Sequence, residues 1–344
     1  MLARSQRNWL KIIALLAILY FISLVTPIYL PITLAIIASF ILNPIVNFFS
    51  SIPLWPFKTL LPRGLAVLLS FICAGLLLSI MGAFVFLPFI REFDKFINNL
   101  PELVFRIKYI AMAIQERANT VEMPGNIQNI AEQALSSAAS FSVDLARRII
   151  NAGFGFASKV VELIVVPVLT YYFLKDWQSL RDDIIAVFPV KSQMKVRTII
   201  HEMAIVISNY IRGQVLVSIV IGLMVFAGMY LLGVDYPLVL GLLAAITETI
   251  PIIGPIIGSV PAILLAYLVE PSLAIKVTVF YLIVHQIENH IVVPNIMGHN
   301  IDLHPVVIII SLLVGGQLLG VLGMMLAVPM AALLKVLARN LLRD

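Results

Sequence analysis

One carboxylate stands out in this sequence. Glu248 lies deep in an apolar run and is followed at once by Thr249-Ile250-Pro251-Ile252-Ile253-Gly254-Pro255-Ile256-Ile257-Gly258. An ionisable group in lipid is costly and needs a reason to be there. Proline removes a backbone donor and clashes with the preceding turn, and glycine adds backbone freedom, so a straight helix through this run is not expected. Unwound backbone at membrane depth must line a cavity to be satisfied. Glu248 is therefore expected to bind a proton or cation, or to accept hydrogen bonds from a polar solute. The alternative is an interfacial or permanently paired carboxylate.

A second cluster, His285-Gln286-Ile287-Glu288-Asn289-His290, closes an apolar stretch and is followed by Val293-Pro294-Asn295. At about 100° per residue His285 and Glu288 share one helical face. A cluster facing water could exchange protons, since histidine titrates near neutral pH. The bland reading is a helix end among lipid headgroups. A third group, Asn209-Tyr210-Ile211-Arg212-Gly213-Gln214, opens another apolar run. Arg212 there either snorkels to the interface or pairs with an acid. The residues expected along a transport pathway are Arg212, Gln214, Glu248, Pro251, Gly254, Pro255, Gly258, His285, Gln286, Glu288, Asn289 and Asn295.

Composition explains what must position these groups. The 344 residues are 61% hydrophobic and 12% charged, with a mean hydropathy of +1.05. Ordinary soluble domains are near half apolar and a quarter charged, so the excess calls for a bilayer. Candidate spans are Leu10 to Val25, Ile28 to Phe49, Leu65 to Pro88, Gly153 to Leu174, Ile211 to Leu232, Leu238 to Val269, Leu273 to Val293 and Val306 to Leu337. The fold class expected is all-α, a polytopic membrane protein of about eight transmembrane helices. The sixth and eighth stretches are over-long and broken, the eighth by Gly315, Gly316, Gly320, Gly323 and Pro329. Re-entrant hairpins are open for both.

Basic residues collect at the N-terminus, at Lys58 and Arg63, between Lys175 and Arg197, and at Lys335, Arg339 and Arg343. The positive-inside rule then puts both termini in the cytoplasm of a multi-pass inner-membrane protein. Three parts are expected: residues 1–89 with three spans, an amphipathic extracytoplasmic helical region at 90–150, and residues 151–344 with five spans. A short cytoplasmic helical piece at 175–208 interrupts the last part. Within the second part, Phe93, Phe96, Ile97, Leu100, Val104, Ile107, Ala111 and Ile114 recur at helical spacing.

The net charge of +5 fits cytoplasmic loops better than nucleic acid, because no basic stripe interleaves with aromatics. Cys73, the one cysteine, can form no internal disulfide. No H-E-x-x-H, phosphate loop, G-x-S-x-G elbow or dinucleotide fingerprint occurs. Enzyme chemistry, a metal and a cofactor are therefore not expected.

The C-terminal features in their order resemble the autoinducer-2 exporter family, the PerM-like permeases. The matching pieces are Tyr210-Ile211-Arg212-Gly213-Gln214, Glu248 through Pro255, Gln286-Ile287-Glu288-Asn289 and Pro294 through Gly298. Leu303-His304-Pro305 and Gly315-Gly316-Gln317 through Pro329 follow. The resemblance implies an eight-span homo-oligomer, with a pentamer as its form, that exports a small hydrophilic signalling molecule. It also implies sodium–proton antiport as an alternative, since some members are described so. A non-transporting membrane scaffold is the third reading, resting on the amphipathic region. The partners expected are the lipid bilayer, a small polar solute and Na+ or H+.

Overall fold

A computed structural model describes residues 29–54, 59–96, 98–99, 102, 105–106, 109, 137, 144, 164–298 and 303–342. The expected span Leu10 to Val25, the start of the span at Gly153 and most of the amphipathic region lie outside these residues. The fold is almost entirely helical and polytopic, as the hydropathy requires. Chain contacts divide it into two compact units, residues 1–74 with 155–182 and residues 75–154 with 183–344.

In the first unit, α1 (Tyr29–Ser50) leads through a two-residue hairpin, β1 (Pro53–Leu54) and β2 (Thr59–Leu60), into α2 (Arg63–Met81). The third helix is α3 (Val165–Ala186). Leu42 and Val46 of α1, Ala66 and Val67 of α2 and Leu174 of α3 form its small core. Two polar contacts tie it together. Arg63 Nε donates to the Leu174 carbonyl at 2.7 Å, and Thr170 Oγ1 of α3 reaches the Ala35 carbonyl of α1 at 3.4 Å. From Gly75 the chain belongs to the second unit, and a π-helical stretch, Gly82–Phe86, leads from α2 on to Phe96.

The second unit holds the larger core. Its spine is α4 (Val190–Leu232), a 43-residue helix about 64 Å long, twice the ~30 Å of a hydrocarbon core. Residues 175–208 are thus the ends of two long helices that break at Val187–Pro189, rather than a separate short helix. Val217, Ile221, Val225 and Met229 of α4, spaced four apart, pack on the next three helices. These are α5 (Pro237–Thr247), α6 (Ile253–Val269) and α7 (Pro271–Ile287). A π-helical stretch, Glu288–Val292, leads from α7 into α8 (Val293–Met297).

The sixth apolar stretch does not cross the membrane as one helix. At 11 and 17 residues, α5 and α6 are about 16 and 25 Å long, and each falls short of the hydrocarbon core. They fold back on one another. A Cβ added to Gly258 would stand 2.9 Å from Thr247 Oγ1, and one on Gly254 would collide with the Thr247 carbonyl. The pair is a tight helical hairpin with its tip at Glu248–Ile252.

The last helix, α9 (Pro305–Leu342), reads as one long span by length alone. Its backbone reverses at Leu319 and at Gly320, which has φ +61° and ψ −136°. Gly315 then lies against the Gly323 carbonyl, and its Cβ position is 3.4 Å from Ala327 Cβ. In a straight helix residues 315 and 327 would be about 18 Å apart. Residues 305–318 and 321–342 are therefore two arms of a second hairpin. The two hairpins meet where Ile250 and Ile253 pack on Leu312 and Ala327.

Candidate functional site

The tip of the first hairpin carries Glu248. The residue caps α5 and is only 3% exposed, and Glu288, at the start of the π-helical stretch, is 7% exposed. Their carboxyl groups are close enough to interact directly, charge against charge. Both line one small cavity with Thr247, Pro255, Gly258, Tyr281 and His285, closed on its apolar side by Ile221, Ala244 and Val284. The space open to water centres is ≈ 10 Å³, enough for about one water molecule.

Local structure accounts for each placement. Tyr281, His285 and Glu288 follow one another at helical spacing on a single face of α7 and its extension. π-helical turns recur at functional sites, and this one begins at Glu288. His285 Nδ1 lies 3.2 Å from Glu288 Oε2. Asn289 Nδ2 is 3.1 Å from His285 Nε2 and donates to the His285 carbonyl at 3.0 Å. With the amide nitrogen donating to Nε2, the ring hydrogen sits on Nδ1 and is donated to Glu288. Gln214 Nε2 of α4 donates to the Glu248 backbone carbonyl at 2.6 Å, which satisfies an acceptor freed by the helix break. Tyr281 Oη donates to Gly258 O at 3.3 Å. Glu248 Oε2 itself is buried without a hydrogen-bond partner.

The site lies away from both ends of α4. Along α4, Gln214 is about 18 Å from Glu202 and about 27 Å from Leu232. Near one end, Glu202 Oε2 accepts from Arg339 Nη2 at 2.8 Å and from Asn340 Nδ2 at 2.9 Å. Near the other, Glu92 Oε2 accepts from the backbone N–H groups of Leu238 and Val239 at 3.0 and 3.3 Å, and so caps α5. Two carboxyls, an imidazole and freed backbone carbonyls around a water-sized space can hold a proton or a small cation. They form no covalent-catalysis arrangement.

A family model described as AI-2E family transporter matches residues 12–343. The chain belongs to the AI-2E transporter family. It is 27% identical over 327 residues to a Bacillus subtilis protein named "Putative transport protein YueF", covering 94% of this chain and 86% of that one. It is 24% identical over 337 residues to a "Sodium-lithium/proton antiporter" of Halobacillus andaensis, covering 94% and 92%. It is 27% identical over 264 residues to the "Putative permease PerM" of Escherichia coli K12, covering 76% and 74%. Transport across a membrane is thus the family's business.

Within this AI-2E family chain, the residues expected from sequence fall into two groups. Glu248, Pro255, Gly258, His285 and Glu288 meet at the cavity. Gln214, Gly254 and Asn289 adjoin it through the contacts above, and Pro251 forms the hairpin tip. Gln286 and Asn295 are exposed, and Arg212 is half-buried; none of the three lines the cavity. His290 turns back to the Gln286 carbonyl at 3.0 Å. Sequence reasoning missed Thr247 and Tyr281. Tyr281 had a signal, because it stands four residues before His285, one turn along the same face.

Proposed function

We propose that the chain is a secondary transporter whose Glu248–Glu288 pair is the coupling site, exchanging protons for a monovalent cation. The carrying observation is the two buried carboxyls on one water-sized cavity, with Glu248 Oε2 unpartnered. Two carboxylates at close range in a poorly polarisable surrounding do not both stay charged and bare. They share a proton or hold a cation between them, and that competition is what an antiporter needs. The antiporter relative from Halobacillus andaensis supports the same reading.

The second reading, export of a small hydrophilic signalling molecule of the autoinducer-2 kind, is favoured by the family description. Such a solute needs far more than ≈ 10 Å³ and would require the hairpins to part. The protein would sit in a bacterial inner membrane with both termini cytoplasmic, as a homo-oligomer and, under the family resemblance, a pentamer. The test uses liposomes holding purified protein and a pH-sensitive dye. An imposed sodium gradient should drive proton movement in wild type and not in Glu248→Gln. If wild-type liposomes move no protons yet release loaded autoinducer-2 faster than protein-free controls, the exporter reading replaces this one.

A further inference from the structure

The cavity forms one side of the Glu248 surroundings, and α4 forms another. Tyr210, Gln214 and Ser218 lie one turn apart on a single stripe of α4. Gln214 on that stripe bonds the Glu248 carbonyl. One turn beyond Ser218, the Cβ position of Gly222 falls 2.9 Å from the Gly241 carbonyl and 3.5 Å from Ala245 Cα. The stripe therefore runs alongside the C-terminal half of α5, with Ser218 between these two contacts. Tyr210 is 4% exposed, Ser218 is 6% exposed, and Tyr210 lies within Coulombic range of Glu248.

Among the described residues, three buried side-chain atoms have no hydrogen-bond partner: Tyr210 Oη, Ser218 Oγ and Glu248 Oε2. An orphan of this kind ordinarily costs stability, and in a membrane no bulk water is at hand to help. A buried helical hydroxyl has an easy remedy, which is to donate to a carbonyl one turn back. Ser70 does so to Ala66 at 2.7 Å, Thr170 to Val166 at 2.8 Å and Thr247 to Ala244 at 3.2 Å. Ser218 does not. Its lone pairs and those of Tyr210 stay uncommitted on the stripe that bonds the hairpin tip.

We propose that Tyr210 and Ser218 are ligands of the transported cation, flanking Glu248 as successive oxygen donors on a path along α4. This rests on the reading of Glu248–Glu288 as the cation site and extends it beyond the cavity. The chemistry selects a hard, partly dehydrated alkali cation such as Na+. Neutral phenol and hydroxyl oxygens replace its water while a carboxylate supplies the charge. Residues 210 and 218 are about 12 Å apart along the helix, so they serve in sequence rather than together. Several weak sites in a row let an ion enter and also leave.

The test is sodium-dependent thermal stabilisation of the purified full chain in detergent, with choline chloride as the reference salt. Tyr210→Phe and Ser218→Ala remove an oxygen and little else. At least one of them is expected to raise the sodium concentration for half-maximal stabilisation by about tenfold, the loss of one charge-assisted contact to the resting ion. The melting temperature in choline should stay unchanged or rise. A sodium midpoint equal to wild type in both variants overturns the proposal, as does wild type that sodium does not stabilise. If the midpoints shift while liposomes show no sodium–proton exchange, the ligands stand and the antiporter reading falls. If exchange depends on Glu248 and the midpoints do not move, the antiporter reading stands and these ligands fall.

Discussion

Ile252 carries the most unusual backbone near the site, with φ +68° and ψ −47°. The Ile253 N–H donates to the Pro251 carbonyl at 2.8 Å, which closes a three-residue γ-turn of the rare positive-φ kind. A β-branched residue there is strained by roughly 1–3 kcal/mol. The strain sits four residues from Glu248, at the turn that sends the chain back as α6. Ile252→Gly should relieve it and stabilise the fold by about 1 kcal/mol after the entropy cost of glycine is deducted. A higher melting temperature in detergent is the expected readout. At this scale Glu248 and Glu288 were legible in the sequence through their cost in lipid, and His285 through its spacing. Thr247 and Tyr281 were not singled out, because a hydroxyl in an apolar run carries no such cost and its role depends on which distant helix faces it.

At the scale of the element, both over-long apolar stretches turn out to be hairpins. The sixth was legible as broken, since Pro251, Gly254 and Pro255 fall within five residues. Whether it folds back or spans was left open by the sequence. Hydropathy sums the two arms, and an apolar arm reads alike whether it crosses or returns. The eighth stretch hid its reversal among several glycines. Gly315 and Gly323 serve close approach, while Gly320 alone has positive φ there, with φ +61° and ψ −136°, a region open essentially to glycine. Gly320→Ala should therefore cost about 1–3 kcal/mol of stability although nothing lies within 4 Å of its Cβ position. Gly316→Ala, in an ordinary helical backbone with Met324 3.2 Å away, should cost less. Paired melting curves would compare them.

For the whole molecule, two polar ties in the second unit define opposite ends. Glu202 holds Arg339 and Asn340 near one end of α4, and Glu92 holds the start of α5 near the other. Asn99 Nδ2 also donates to Tyr236 Oη at 2.8 Å, and Phe96 meets the Tyr236 ring. The start of the amphipathic region thus shares an end with the 233–237 connection. Arg339 and Asn340 share the other end with the first half of α4. With the positive-inside rule, which places the N-terminus and the basic connections on the cytoplasmic side, these ties predict a labelling pattern on a Cys73→Ser background. Asp235→Cys should react with a membrane-impermeant maleimide from outside intact cells, and Arg4→Cys only after permeabilisation. The reverse pattern would invert the topology without moving the site. Most of residues 100–163 lie outside the described residues, so the amphipathic stripe there is a reading of the sequence.

On the proposed mechanism, one buried carboxyl pair holds either a proton or a cation. The most direct test is proton release from the purified protein in weakly buffered detergent solution at mildly alkaline pH. Adding sodium to wild type should release up to roughly one proton per chain, because a cation displaces the proton that its ligands share. Choline should release none, and Glu248→Gln should release none with either salt. Equal release from wild type and Glu248→Gln, or none from wild type while sodium still binds, would rule out a proton and a cation competing for Glu248 and Glu288.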